Sequence, residues 1–199
     1  MKQILYSCAA IIFALMMVTA LPTEADAQIY EDTLRLHILA ASDNQEDQEL
    51  KLEIRDRVLK KYGQRLTAEG DIDGAIEGTR RCLSDIEADV EIWLRELGSG
   101  YDARVELSKE WYDTRDYGDF SLPAGIYYSL RIIIGEGEGQ NWWCIMYPPL
   151  CLDIATESAP RDDGLISYTK EEVKLVTGGK YTVKFKLLEI ISKAFSKKG

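Results

Sequence analysis

What most limits how this chain can fold is a change of hydrophobic period at Gly98. Upstream, Ile72, Ile76, Thr79, Leu83, Ile86, Val90, Trp93 and Leu97 step by 4, 3, 4, 3, 4, 3, 4. That spacing keeps one seam of a helix turned toward a partner. Asp71 is placed to cap this helix and Gly98 to end it, while Gly74 and Gly78 weaken its first turns. The seam packs along a sheet or a neighbouring helix, or forms an intermolecular coiled coil; its shortness favours packing. Downstream, from Tyr101, the period becomes two. Ala103, Val105 and Leu107 alternate with polar residues, which is the mark of a half-buried strand. The charged and aromatic WYDTRDYGDF reads as a loop or hairpin crest. Gly125 to Ile134, GIYYSLRIII, is β-branched and aromatic enough for a central strand. GEGEGQ then turns the chain, its glycines permitting positive φ in a hairpin. NWWCIMY returns as a neighbouring antiparallel strand, which Pro148 and Pro149 must end because neither can donate to a ladder.

Two elements precede the long helix. TLRLHILAA, Thr33 to Ala41, sets Leu34, Leu36, Ile38 and Ala40 on one side and Arg35, His37 and Leu39 on the other, a strand buried on its first face. SDNQEDQELKLEIRDRVLKKYG follows as a helix. Asp43 with Glu46, or Ser42 with Gln45, offers a capping box. Leu50, Ile54 and Val58 recur at i, i+4, i+8, Gly63 is placed to end the helix, and Lys60 and Lys61 suit its negative end. Beyond Pro149 the pattern predicts a polar loop over 155–167 and a short helix over 168–176. A last strand then carries Tyr181, Val183, Phe185 and Leu187, before a basic amphipathic helix at the C-terminus. That helix packs on the sheet or touches an anionic membrane surface transiently. Helices followed by strands make this an α+β fold: an antiparallel or mixed sheet packed by two N-terminal helices and a short C-terminal one.

The first residues bear on compartment. Lys2, an uncharged run from Ile4 to Leu21, Pro22 and the small-residue pattern Ala25-Asp26-Ala27 read as a secretory signal peptide over 1–27. The alternative is an uncleaved anchor, since the run approaches the length of a minimal membrane-spanning helix. Residues 28–199 then suit one secreted domain. A net charge of −10 repels a phosphate backbone and disfavours nucleic acid as a partner. Of the four cysteines, Cys8 lies in the leader, so Cys82, Cys144 and Cys151 remain. An odd number outside the cytosol implies a free thiol or an intermolecular bond. Cys144 and Cys151 flank the Pro-Pro bend and are the candidate disulfide.

Chemistry is sparse. His37 is the one histidine, and a mid-strand position suits a hydrogen-bonded structural residue. A nucleophile pair would need Cys82, Cys144, Cys151 or Ser42 beside it. The cysteine spacings do not suit zinc, and Asp43, Glu46, Asp47 and Glu49 lack the glycine and terminal glutamate of a calcium loop. GEGEGQ has no following Lys-Ser/Thr to cradle phosphate. No metal, cofactor or catalytic residue is therefore assigned. The aromatic and proline-rich stretch Asn141, Trp142, Trp143, Tyr147, Pro148 and Pro149 is the candidate partner surface, because aromatic anchors dominate interface energetics.

Two segments carry a specific resemblance. LRLHILAASDNQEDQELKLEIRDRVL, Leu34 to Leu59, resembles the N-terminal signature of the stage II sporulation protein R family: an R-x-H strand, then S-D-x-x-E-D-Q-x-L-K, then V-R-D. LPAGIYYSLRIIIGEGEGQNWWCIMYPPLC, Leu122 to Cys151, resembles its second signature, in which P-A-G and L-R precede G-x-G-x-N-W-W-C and P-P-L-C. Ala41, Asn44 and Leu122 depart from the asparagine, serine and tyrosine the pattern leads one to expect. The resemblance implies a non-enzymatic signal secreted from the forespore into the space between forespore and mother cell. There it would activate a membrane-embedded aspartic protease that processes the sigma E precursor. An exported hydrolase and a cell-wall binding module are the alternatives.

Overall fold

The computed structural model describes residues 29–67, 70–117 and 121–148, with scattered positions between 3 and 14. The elements expected beyond Pro149, the partner residue Pro149 itself, Cys151 and most of the leader lie outside the described residues. Among the described residues no helix is long and apolar enough to cross a membrane. The fold is α+β, as the change of period predicts. The chain divides into two compact units, Tyr30–Glu110 with Ile126–Thr169, and Met1–Ile29 with Trp111–Gly125 and Lys170–Gly199.

In the first unit, strand β1 (Leu34–Leu39) leads into helix α1 (Gln45–Thr67) and helix α2 (Ile72–Glu96). Strands β2 (Ala103–Tyr112), β5 (Gly125–Ile134) and β6 (Asn141–Tyr147) complete a mixed four-stranded sheet in the order β2-β5-β1-β6. β1 runs parallel to β5 and antiparallel to β6. In the second unit, β3 (Arg115–Asp116) pairs antiparallel with β4 (Ser121–Leu122). β3 lies inside the stretch read as a loop or crest and β4 directly follows it, while the first two residues of that stretch, Trp111 and Tyr112, finish β2.

The sheet order corrects the expected hairpin. β5 and β6 are not neighbours; β1 lies between them. The reason is burial. Strand β1 is covered on both faces, with Leu34, Leu36, Ile38 and Arg35 fully buried and His37 at 7%, so it takes a central slot instead of an edge. The connection from Gly135 to Gln140 must then span two strand spacings, about 10 Å, which six residues reach with ease. Gly135 and Gly137 do adopt positive φ, at 59° and 68°, and the Gly139 amide donates to the Ala40 carbonyl at 2.9 Å. The turn is thereby fastened to the end of β1.

Helix α1 does not stop at Gly63 but runs to Thr67. Its buried stripe Ile54, Val58, Leu59, Tyr62 and Leu66 continues past the glycine. Each fully buried large side chain contributes about 1.5–3 kcal/mol, more than the ~1 kcal/mol an interior glycine costs. Helix α2 keeps its expected ends. Asp71 accepts from the Gly74 amide at 2.8 Å, and Gly98 sits at φ +77°. Its buried stripe is Ala75, Ile76, Thr79, Cys82, Ile86, Val90 and Leu94, one step off the predicted seam in its second half. Leu83 and Trp93 are half-buried and Leu97 is 40% exposed. The helix packs on α1 and β1, and the stripe from Ile76 to Leu94 covers 18 residues in five steps, which suits the roughly 3.6-residue period of a straight helix better than a 3.5-residue coiled-coil seam. Between the two helices, Asp89 accepts from Lys61 and Tyr62. Burial pushes the Asp89 carboxyl up, but those hydrogen bonds outweigh it and hold it below its ordinary value. Burial together with Asp89 pushes the Tyr62 phenol well up.

Candidate functional site

Two polar clusters link the region around β1 to β6 or to the turn before it. The first lies where β1 enters α1. Asn44, which is neither of the two predicted caps, accepts from the Asp47 amide through its side chain at 2.7 Å. Asp47 answers by accepting from the Asn44 side-chain amide at 3.0 Å. Asn44 is thus the N-cap, one residue along from the two predicted, with a reciprocal side-chain bond to Asp47 while its own backbone N–H donates to Ser42 Oγ at 3.2 Å; asparagine caps as well as the expected serine would. Asp47 is buried and also accepts from Ser42 at 2.6 Å and from the Tyr101 hydroxyl at 3.2 Å. The Asp47 carboxylate beside it pushes the Tyr101 phenol up.

Lys51 reaches across this cluster. It is 4% exposed, and its Nζ donates to Gln48 Oε1 at 2.6 Å and to the Gln140 carbonyl at 2.8 Å. Burial lowers its pKa, and Asp43 only partly offsets that. The Gln140 amide in turn donates to Asp43 at 2.7 Å, and the Gln48 side chain donates to the Ser42 carbonyl at 2.8 Å. The polar S-D-x-x-E-D-Q-x-L-K run is thus a lock that holds the Gly139-Gln140 turn. A Cβ on Gly139 would lie 2.2 Å from the Ser42 carbonyl oxygen, so only glycine fits there.

The second cluster is a row across the sheet. In register, His37 pairs with Arg131 on β5 and with Trp143 on β6. His37 Nδ1 lies 2.9 Å from Glu110 Oε2 and Nε2 lies 2.9 Å from Asn141 Oδ1. Arg131 forms an ion pair with Glu110, its Nε 2.8 Å from Oε1, and its Nη1 donates to Glu106. The Trp143 ring stacks on the imidazole, with centroids 5.6 Å apart and planes 30° from each other. Strand alternation places these side chains on the face opposite Trp142. Trp142 instead meets α1, where the Arg55 guanidinium lies 5.1 Å from its ring centroid.

The six proposed contact residues therefore separate. Asn141 is exposed, and Trp142 and Trp143 are half-buried on opposite faces. Tyr147 is 7% exposed, with its hydroxyl donating to the Gly70 carbonyl at 3.2 Å, and Pro148 is buried. These last two offer little surface to a partner, because β6 carries them into the core. Cys144 is disulfide-bonded, and its partner lies outside the described residues. It stands opposite Leu36, on the other face from His37. Cys82 is a free, buried thiol on α2. Ser42 donates to Asp47. His37 is thus a hydrogen-bonded residue within the sheet, as its mid-strand position suggested. Glu106, Glu110 and Arg131 escaped the sequence reading. The available signal was parity: positions 106 and 110 share one face of a strand, and Arg131 sits in a strand read as central.

The architecture defines a small α+β domain whose polar residues converge on one row and one lock. A sequence model of the family described as stage II sporulation protein R matches residues 30–157, well over half of the chain. The chain belongs to the stage II sporulation protein R family. The stage II sporulation protein R of Bacillus subtilis (strain 168) is 34% identical over 149 residues, covering 74% of this chain and 66% of that protein. The aligned part thus spans about two thirds of that relative's length. No solved structure matches. Membership gives the protein a role in sporulation and places it in a family not named for an enzymatic activity.

Proposed function

We propose that this protein is a secreted signal that docks on a membrane-embedded aspartic protease and activates it, so that the sigma E precursor is processed in the mother cell. On this reading the leader carries the chain from the forespore into the space between forespore and mother cell. The observation that carries the proposal is the row itself. Two segments resembling the family signatures meet across the sheet and leave Asn141 exposed beside the half-buried Trp143. An indole flanked by hydrogen-bonded polar groups has the make-up of an interface anchor. The exported-hydrolase alternative has less support, since both His37 nitrogens are already engaged by Glu110 and Asn141.

Immunoblots of the sigma E precursor in a sporulating deletion strain test the proposal. Processing should fail in the deletion, return with the full chain and stay absent when residues 1–27 are removed. Normal processing in the clean deletion would end the reading, and so would turnover of a substrate by the purified protein alone.

A further inference from the structure

We propose that the outer edge of β2 pairs with the same edge of a second copy of this chain, antiparallel about a two-fold axis at Leu107, so that two sheets join into one. The inference is independent of the docking role proposed above. β2 stands at one end of the sheet order, and no described strand lies beyond it. Asp102 meets Gly135 and Glu106 meets Arg131, so β2 runs antiparallel to β5. In such a ladder alternate residues turn both backbone groups toward the neighbour. The Gly135 amide donates to the Asp102 carbonyl at 2.8 Å, which turns the even-numbered residues inward and Ala103, Val105, Leu107 and Lys109 outward. The Val105 amide agrees with that phase, since it donates to Glu87 of α2 at 2.8 Å and not to β5. Open edges of this kind usually carry a device against pairing. Here Glu87 guards Val105, but Lys109 is drawn back over the Tyr128 ring, 4.5 Å from its centroid. The edge from Leu107 to Lys109 stays open.

The side chains say which partner fits. Within a chain of net charge −10, the strand is balanced, Arg104 and Lys109 against Glu106 and Glu110. Two copies can meet there without the repulsion that the whole chain's charge imposes. A two-fold pairing must set outward residues against outward residues, which leaves few registers. An axis at Glu106 sets that residue against itself, one at Ser108 sets Glu106 against Glu110, and one at Lys109 sets lysine against lysine. Like charges directly opposite are destabilising. An axis at Val105 pairs Arg104 with Glu106 but overlaps only Ala103 to Leu107. The axis at Leu107 overlaps Arg104 to Glu110, with these two residues opposite each other at both ends and Leu107 against Leu107 at the centre. Arg104 is exposed and makes no ion pair among the described residues. The Ser108 hydroxyl, which has no hydrogen-bond partner, comes to stand opposite Glu106 of the second copy. The ladder gains bonds between the two Leu107 residues and from each Lys109 amide to the Val105 carbonyl of the other copy. Such a contact is self-complementary and closes on itself, so it uses up the edge. Its axis is perpendicular to the sheet, which sets both His37 rows on one side of the joined sheet.

The experiment uses the full chain. Sedimentation equilibrium over a concentration series reads the association. Wild type should dimerise. Arg104→Glu sets like charges opposite each other at both ends and should weaken the dimer at least about tenfold. Glu87→Ala frees the Val105 amide for the ladder and should tighten it at least about threefold. Cross-linking reads the register, in a Cys8→Ser background; Cys82 is buried and Cys144 is already bonded. Leu107→Cys should give a covalent dimer on mild oxidation, because hydrogen-bonded pairs hold their Cα atoms about 5.5 Å apart, within disulfide reach. Val105→Cys and Lys109→Cys should cross-link only when the two are mixed. Circular dichroism checks the fold, and should Arg104→Glu unfold, cross-linking decides alone. A monomer at every concentration would overturn the proposal, whether or not an extended peptide from another protein takes the edge. A dimer indifferent to Arg104→Glu, no covalent dimer from Leu107→Cys, or a covalent dimer from Lys109→Cys alone would each overturn the register. An unchanged or weaker dimer in Glu87→Ala would overturn the guarding role of Glu87.

Discussion

The lock at the entrance to α1 and the row across the sheet both draw on the regions around β1 and β6, yet they differ in what surrounds them. In the lock, Asp47 and Lys51 are 6% and 4% exposed; Asp47 bonds to Ser42, Asn44 and Tyr101, and Lys51 to Gln48 and to the turn before β6. In the row, the hydrogen bonds end at Asn141, which is exposed. A polar residue whose partners are all internal serves the fold; one that ends a chain of internal partners at the surface is placed to serve recognition. Strand parity makes the separation. Trp142 and Trp143 are adjacent in sequence, but one packs toward α1 and the other stacks on His37.

The contrast breaks most easily at Gly139. With the Ser42 carbonyl oxygen only 2.2 Å from an added Cβ, Gly139→Ala should lose about 3 kcal/mol or more of stability, read from the urea midpoint. A loss under 1 kcal/mol would mean that the turn is not clamped. Lys51→Met should come next, at about 2 kcal/mol, because it removes the two hydrogen bonds that the buried Lys51 ammonium donates to Gln48 and to the Gln140 carbonyl. Its pH dependence sharpens the point. Burial lowers the folded pKa of Lys51 below its ordinary 10.5, so the unfolded chain holds that proton more tightly. Stability referred to Lys51→Met should then rise as pH climbs from the folded value toward 10.5. A flat difference over that range would count against a buried charge.

Asn44→Ala removes the cap of α1 and should cost about 1 kcal/mol, measured by the same unfolding curve. Asn141→Asp sits at the other pole of the comparison. It should change stability by less than about 0.5 kcal/mol, as exposed substitutions usually do, while lowering signalling about tenfold. A stability loss as large as that of Lys51→Met would merge the row with the lock.

Much of this was legible in the primary structure. The central strand β5, both ends of α2 and the positive φ of the turn glycines follow from local pattern, since each rests on residues close in sequence. The order of the strands does not. Nothing local to GEGEGQ says that β1 will enter between the strands it joins; that depends on burial of both faces of LRLHIL. The end of α1 was missed for a related reason, because Leu66 has core to reach beyond Gly63. The aromatic stretch was found, but parity and depth divide it: Asn141 and Trp143 fall on the row, whereas Tyr147 and Pro148 fall inside. Glu110 and Arg131 come from strands far from His37 in sequence, and only the sheet register brings them to it.

Photo-crosslinking in sporulating cells reaches the central claim most directly. A crosslinking residue is placed at Asn141 in one strain and at Glu46, exposed beside the lock, in another. The row-as-interface account predicts that Asn141 captures the extracytoplasmic part of the protease and Glu46 does not. Capture from Glu46 with none from Asn141 would contradict it.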